Sequence, residues 1–221
     1  MLIIWDELAD SNNPEAVAHT CANIDKFDDF PSNLSANPHA IEWLENNPYY
    51  IDWDCILYNS AAESLLRKHG ILDKLPRAWQ FDADMTRLCS NPAPWALKIV
   101  EANIEHVRQY HRLSANPSAL PLLLKYSGQK NKYGESIDHA GYLSRNSNPL
   151  AIKLITCMPV EIDWKDFSEN PAGYEYLNEH REQIDMKTIA RNPKIFEPQW
   201  PWRVYEDWCS WENACACNVM D

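Results

Sequence analysis

The side chains of this 221-residue chain that could bind a metal or run nucleophilic chemistry are seven cysteines, seven histidines and thirty-two carboxylates. Their spacing assembles no catalytic pattern. The histidines (19, 39, 69, 106, 111, 139, 180) contain no His-Glu-x-x-His, and His106 and His111 stand five apart, on different faces of any helix. Cys209, Cys215 and Cys217 follow a C-x5-C-x-C spacing that is not a paired zinc pattern, and no histidine follows them. Cys21, Cys55, Cys89 and Cys157 and an odd total fit reduced thiols better than a disulfide framework. Nucleophile elbow, kinase set, Walker loop and dinucleotide fingerprint are missing. The expectation is a non-enzymatic protein with no cofactor and no metal.

Recognition chemistry is better represented. The stretch Tyr126-Ser127-Gly128-Gln129-Lys130-Asn131-Lys132-Tyr133-Gly134-Glu135 is locally basic in an acidic chain, and Lys130 and Lys132 could meet a phosphate or an acidic partner. The run from His106 to Arg112 mixes bases and aromatics and reads as a helix surface. The stretch from Gly70 to Asp82 carries Trp79 and Phe81, which read as an extra turn packed over the core. The tail holds Trp200, Trp202, Tyr205, Trp208 and Trp211. It reads either as a cap over the end of the core or as an anchor for a partner or a second copy.

The elements that must position these groups are repeats. Asparagine precedes proline at Asn13, Asn37, Asn91, Asn116, Asn148, Asn170 and Asn192, and Asn59-Ser60 reads as a degenerate copy. The spacings run from 22 to 32 residues, a period that marks repeat architectures. Three positions after the asparagine comes a small residue (Ala16, Ala40, Ala62, Ala119, Ala151, Gly173), and seven after it an apolar one (Leu44, Leu66, Leu123, Ile155, Leu177). Offsets of three, four and seven define one helix face. Asparagine is a good N-cap and proline a good first helical residue, so each pair predicts a helix start.

A shorter helix precedes each corner. In Ile51-Asp52-Trp53, Ile162-Asp163-Trp164 and Ile184-Asp185-Met186 the aspartate is placed to cap it. The flanking isoleucine can then staple onto Ile56, Phe167 or Ile189. The predicted caps are therefore Asn37, Asn91, Asn116, Asn148, Asn170, Asn192, Asp52, Asp163 and Asp185. Helices this short need stacked neighbours. The fold expected is all-α: an α-solenoid of about eight short helix-turn-helix repeats over residues 1–198, followed by a Trp/Cys-rich cap or docking tail over 199–221.

The stretch from Leu34 to Trp53, reading LSANPHAIEWLENNPYYIDW, and the stretch from Ile162 to Pro171 resemble the LSxNPxAIxxLxxNPxxIDW repeat proteins of large DNA viruses of algae and protists. The resemblance implies a viral origin and a binding or structural role, as a virion component or a host-directed adaptor. It brings no catalytic residue, because the motif's residues cap and pack helices.

Twenty basic against thirty-two acidic residues leave a net charge of −12, which disfavours nucleic acid and favours a basic surface on a partner. No apolar run approaches the ~20 residues of a membrane span. Met1-Leu2-Ile3-Ile4-Trp5 is too short for a signal peptide, so the expected location is intracellular and soluble (host cytoplasm) or within a virion. The leading expectation is a protein–protein interaction scaffold, whose partner could be a capsid protein. The alternative is a ligand binder or enzyme that uses an interrupted repeat at 67–90 or 125–140.

Overall fold

Proline at the first helical position sacrifices no hydrogen bond, and an asparagine ahead of it can satisfy a free backbone N–H. The computed structural model describes residues 8–27, 32–75, 81–108, 110–134, 140–157 and 162–196. In it, Oδ1 of Asn37, Asn116 and Asn170 accepts from the N–H of His39, Ser118 and Ala172, each at 3.0 Å. Each corner opens one 3-10 turn (Pro38–Ala40, Pro117–Ala119, Pro171–Gly173). The turns run on into the short α-helices Ile41–Asn46, Leu120–Tyr126 and Tyr174–Glu179. Asn59 lacks the proline and bonds the N–H of Ala61 the same way, at 2.9 Å, ahead of Glu63–Lys68.

The protein is all-α. Among the described residues there is no strand, and no helix is long and apolar enough to cross a membrane. Packing divides the chain into two compact parts, Met1–His139 and Ala140–Asp221. The boundary expected at 198/199 and the tail 199–221 lie outside the described residues, as do Trp79 and the side chain of Phe81. In the first part the core is built from Leu34, Leu44, Ile56, Leu66, Leu88 and Leu113, all fully buried; in the second, Phe167, Leu177 and Ile155 play the same role.

Each corner asparagine also has a second role. Its Nδ2 reaches back to the preceding corner. Asn59 donates to the carbonyls of Ser35 (3.0 Å) and Asn37 (2.8 Å). Asn116 donates to Cys89 (2.9 Å) and Asn91 (3.0 Å). In the second part, Asn170 donates to Ser144 (2.9 Å) and Asn146 (2.8 Å), and Asn192 to Ser168 (2.9 Å) and Asn170 (3.0 Å). Within each part the corners thus form a ladder in which one buried amide joins two successive segments. Buried carbonyls must find donors, so the ladder solves a problem that short helices would otherwise leave open.

The serine two residues before the rung adds a third bond. The hydroxyls of Ser35, Ser144 and Ser168 accept from the N–H of Asp52, Asp163 and Asp185 at 2.9, 3.1 and 2.9 Å. Those aspartates in turn accept two backbone N–H bonds each: Asp54 and Cys55, Lys165 and Asp166, Lys187 and Thr188. Ile51, Ile56, Ile184 and Ile189 are buried beside them.

The ladder shifts the register at two places and the helix start at a third. Asn37 donates to the carbonyls of Ala9 and Ser11, so the first rung position is Ser11 and not Asn13. Asn13 instead caps the helix Pro14–Ala22. Asn146 likewise holds the buried rung position, while the half-buried Asn148 caps Pro149–Cys157 through the N–H of Leu150. Asn91 is a rung and its Oδ1 accepts from the N–H of Ala93 at 2.9 Å, as at the other corners, but the α-helix Pro94–Ala102 starts from Ala93 itself, two residues later than the Asn-Pro pair predicts. In these three cases the second arm is one nine-residue helix that begins three residues after the rung, with proline first. At Asn37, Asn116 and Asn170 a 3-10 turn leads into a shorter helix.

Candidate functional site

The ladder absorbs most buried polar side chains. Groups left to meet a partner must be sought where the pattern is interrupted. The stretch after Leu120–Tyr126 is one such place.

Its conformation follows from its residues. Gly128 (φ 74°) and Gly134 (φ 82°) take left-handed backbone that other residues resist. Between them Asn131 is buried. Its Oδ1 accepts from the N–H of Tyr133 and its Nδ2 donates to the carbonyl of Val107, both at 2.9 Å. The N–H of Lys132 donates to the carbonyl of Glu105 at 3.2 Å, and the N–H of Gly134 to that of Asn131 at 3.0 Å. The loop is thereby fastened onto the turn Ile104–His106, which Tyr110 supports through a 2.8 Å bond from its hydroxyl to the carbonyl of Ile104.

This docking gathers four bases and one aromatic ring. The Arg108 guanidinium lies 4.1 Å from the centre of the Tyr133 ring, and Lys132 Nζ lies 5.0 Å from it. Lys132 Nζ also donates to Nδ1 of His106. Lys130 is exposed on the same loop. Among the described residues, the carboxylate of Glu105 lies beside them, 3.3 Å from His106 Nε2. Hydrogen bonds from Arg108 and Lys132 hold the Tyr133 phenol below its ordinary value. At the edge of the loop, Lys125 is engaged by Glu101 at 2.5 Å, which holds its ammonium above the ordinary value.

The run from His106 to Arg112 is therefore not one helix surface. Val107 and Tyr110 are buried, the helix begins at Tyr110, and Arg108 stands on the link that meets the loop. Arg108 and Tyr133 were not singled out from sequence. The available signal was the period: Asn131 bonds a residue 24 positions earlier, a spacing that Asn59 and Asn170 also use.

The other interrupted stretch is occupied by structure. Arg87 bridges Asp84 (3.1 Å) and Asp54 (3.2 Å) between neighbouring segments. Burial raises the Asp84 carboxyl above its ordinary value even though Arg87 opposes it. Burial also pushes the Cys89 thiol up to about 12 and raises those of Cys21 and Cys55, so these three are neutral thiols rather than nucleophiles at pH 7. Among the described residues no group of three or more His, Cys, Asp or Glu is placed to hold a metal ion. The tail residues Trp200, Trp202, Tyr205, Trp208 and Trp211, and Cys209, Cys215 and Cys217, lie outside the described residues.

Comparison of the chain with protein-family models, curated proteins and solved structures returned no match.

Proposed function

We propose that this chain is a non-enzymatic protein–protein interaction scaffold whose repeats stack as an α-solenoid. The observation that carries the reading is the use of the buried polar side chains. The asparagines, serines and aspartates that recur with the repeat are consumed in joining one segment to the next. Stacked repeats of this kind offer extended surfaces to partners. Groups with recognition chemistry, exposed Arg108, Lys130, Lys132 and Tyr133 and half-buried His106, lie where the pattern breaks.

The resemblance of the repeats to those of large DNA viruses supports placing the scaffold in a virus, as a virion component or as an adaptor toward the host. Purified particles distinguish the two roles, since a virion component is present in them at stoichiometric amount and an adaptor is not. The scaffold reading itself is tested by affinity capture and cross-linking with the full chain, a chain ending at Pro198, and an Arg108→Gln/Lys132→Gln chain. Each must first show the same helical circular dichroism. A protein partner that then rebuilds a defined complex from purified components supports the reading. Turnover of a small molecule by the purified chain, or capture of no protein at all, overturns it.

A further inference from the structure

We infer that the aromatic row of Trp43, Tyr50 and Tyr49, with the carboxylates of Glu42 and Glu45 on the same helix as Trp43, is a docking site for a basic peptide segment, one rich in Arg and Lys, on a protein partner. The inference rests on the scaffold reading and specifies a contact surface for it.

The three rings pack in sequence. The ring centres of Trp43 and Tyr50 lie 5.3 Å apart, and those of Tyr50 and Tyr49 lie 5.5 Å apart in an edge-to-face pair. Trp43 belongs to the helix Ile41–Asn46, and the tyrosines to the 3-10 turn Pro48–Tyr50 that follows it. Tyr49 is 92% exposed. The same turn follows the second arm of other segments, as Ile24–Lys26, Ile104–His106 and Arg181–Gln183, and there its exposed middle residue is Asp25, Glu105 or Glu182. A position that takes an acid elsewhere asks for no ring to fold. Tyr49 therefore sets an apolar ring where the repeat otherwise presents charge, and aromatic rings are the side chains that interfaces favour.

Charge chooses the occupant. From Ala40 to Leu66 the chain holds five carboxylates and no Lys, Arg or His. Asp54 and Glu63 are met by Arg87 and Arg67, and Asp52 accepts backbone N–H bonds. Glu42 and Glu45 are exposed and stand about one turn apart on the helix that carries Trp43. Glu45 accepts from the Ser64 hydroxyl at 3.3 Å, and among the described residues neither carboxylate has an ion-pair partner. An Arg or Lys side chain can lie on the exposed Tyr49 ring, and a neighbouring one can bond a carboxylate of the helix. Other occupants fit worse. A wholly apolar partner would bury the carboxylates without a counter-charge. A second copy related by a two-fold axis would set the same carboxylates against each other. Nucleic acid is repelled by them.

The test uses the full chain and a fluorescein-labelled hexa-arginine peptide, read by anisotropy. Hexa-glutamate and a twelve-nucleotide oligo-dT, labelled the same way, are the comparison probes. Expected is saturable binding of hexa-arginine that weakens with added salt. Tyr49→Ser should bind about threefold more weakly, and should keep the urea midpoint of the parent because the ring is exposed. Tyr49→Phe keeps the ring and should bind as the parent does. Glu42→Gln/Glu45→Gln should bind at least about fivefold more weakly. Glu15→Gln/Glu182→Gln removes the same charge from exposed positions elsewhere and should stay within about twofold of the parent. Equal loss in the two double variants, or parent-like binding by Tyr49→Ser, would mean non-specific charge attraction and would overturn the site. Tighter binding of hexa-glutamate or oligo-dT than of hexa-arginine would overturn the choice of ligand. A reconstituted partner that binds Tyr49→Ser and Glu42→Gln/Glu45→Gln as well as the parent would remove this surface while leaving the scaffold reading intact.

Discussion

Asn170 and Asn148 both stand before a proline, and both cap the turn that follows. Asn170 is also a rung. It is buried, and its Nδ2 donates to the carbonyls of Ser144 and Asn146. Asn148 is half-buried and lies two residues past the rung held by Asn146. The same dipeptide therefore stands at the rung in one place and two residues past it in another. Capping is a local property of the backbone. The rung is a contact with the preceding segment and depends on where the preceding corner sits.

The largest expected effect breaks this pair apart. Asn170→Ala removes a cap and leaves two buried carbonyls without a donor, and should cost about 3 kcal/mol in urea unfolding. Asn148→Ala removes the cap bond to the Leu150 N–H, about 1 kcal/mol. Aspartate is the sharper probe, since it keeps the accepting oxygen and discards the donor. Asn148→Asp should be close to neutral, because a carboxylate suits a helix N-terminus. Asn170→Asp should cost at least as much as Asn170→Ala, because it sets a negative oxygen against two carbonyls. Equal losses for Asn148→Asp and Asn170→Asp would show that the ladder contributes nothing.

A second, smaller effect concerns the fit between the two arms of a segment. A Cβ on Gly173 would lie 2.8 Å from the Phe167 ring. At the matching positions Leu34 faces Ala40 in sequence offset, Ile56 faces Ala62 and Leu113 faces Ala119, so a larger residue on one arm goes with a smaller one on the other. Gly173→Ala should cost about 1–3 kcal/mol by overpacking. Combined with Phe167→Leu it should cost less than the sum of the two single changes. Strict additivity in the double-mutant cycle would mean that the ring and the glycine do not share the space.

The smallest effect is a pH dependence. Burial works to raise the Asp52 carboxyl, but the bonds from the Cys55 N–H, Ser32 and the Asp54 N–H outweigh it, and the net shift is downward. A carboxyl whose folded value lies below its unfolded value adds stability above the unfolded value and loses it as the pH falls through the folded one. Parent and Asp52→Asn should therefore differ in urea midpoint at pH 7 and converge below the ordinary value of 3.8. Asp84 has the opposite sign, being raised, so its burial costs stability at neutral pH and returns it on acidification. An Asp52→Asn difference that is constant from pH 7 to acid would refute the first sign.

The all-helical class was legible in the sequence because capping and amphipathic spacing are local. Asn-Pro, the Ile-Asp starts and the offsets of three, four and seven act within one or two turns of chain. The same local signals marked Asn13 and Asn148 as caps, which they are, but did not show that Ser11 and Asn146 hold the rungs beside them, because the proline that marks a helix start is not what marks a rung. The pattern Leu143-Ser144-Arg145-Asn146 carries the rung without a proline, and its meaning comes from the carbonyls it offers to Asn170. The basic cluster shows the same limit. The basic loop and the basic-aromatic run were each visible as strings, but their meeting at Tyr133 was not.

Sequence alone thus determined which residues begin helices, which face of each is apolar, and that the chain is acidic and repetitive. Tertiary structure decided which asparagines join segments, why Gly173 goes with Phe167, and which cations share one ring. Hydrogen bonds from an amide to a carbonyl 22 to 34 residues away leave no local periodicity of their own. They exist only once neighbouring segments are packed, when buried carbonyls have no water to turn to and must be met by a side chain.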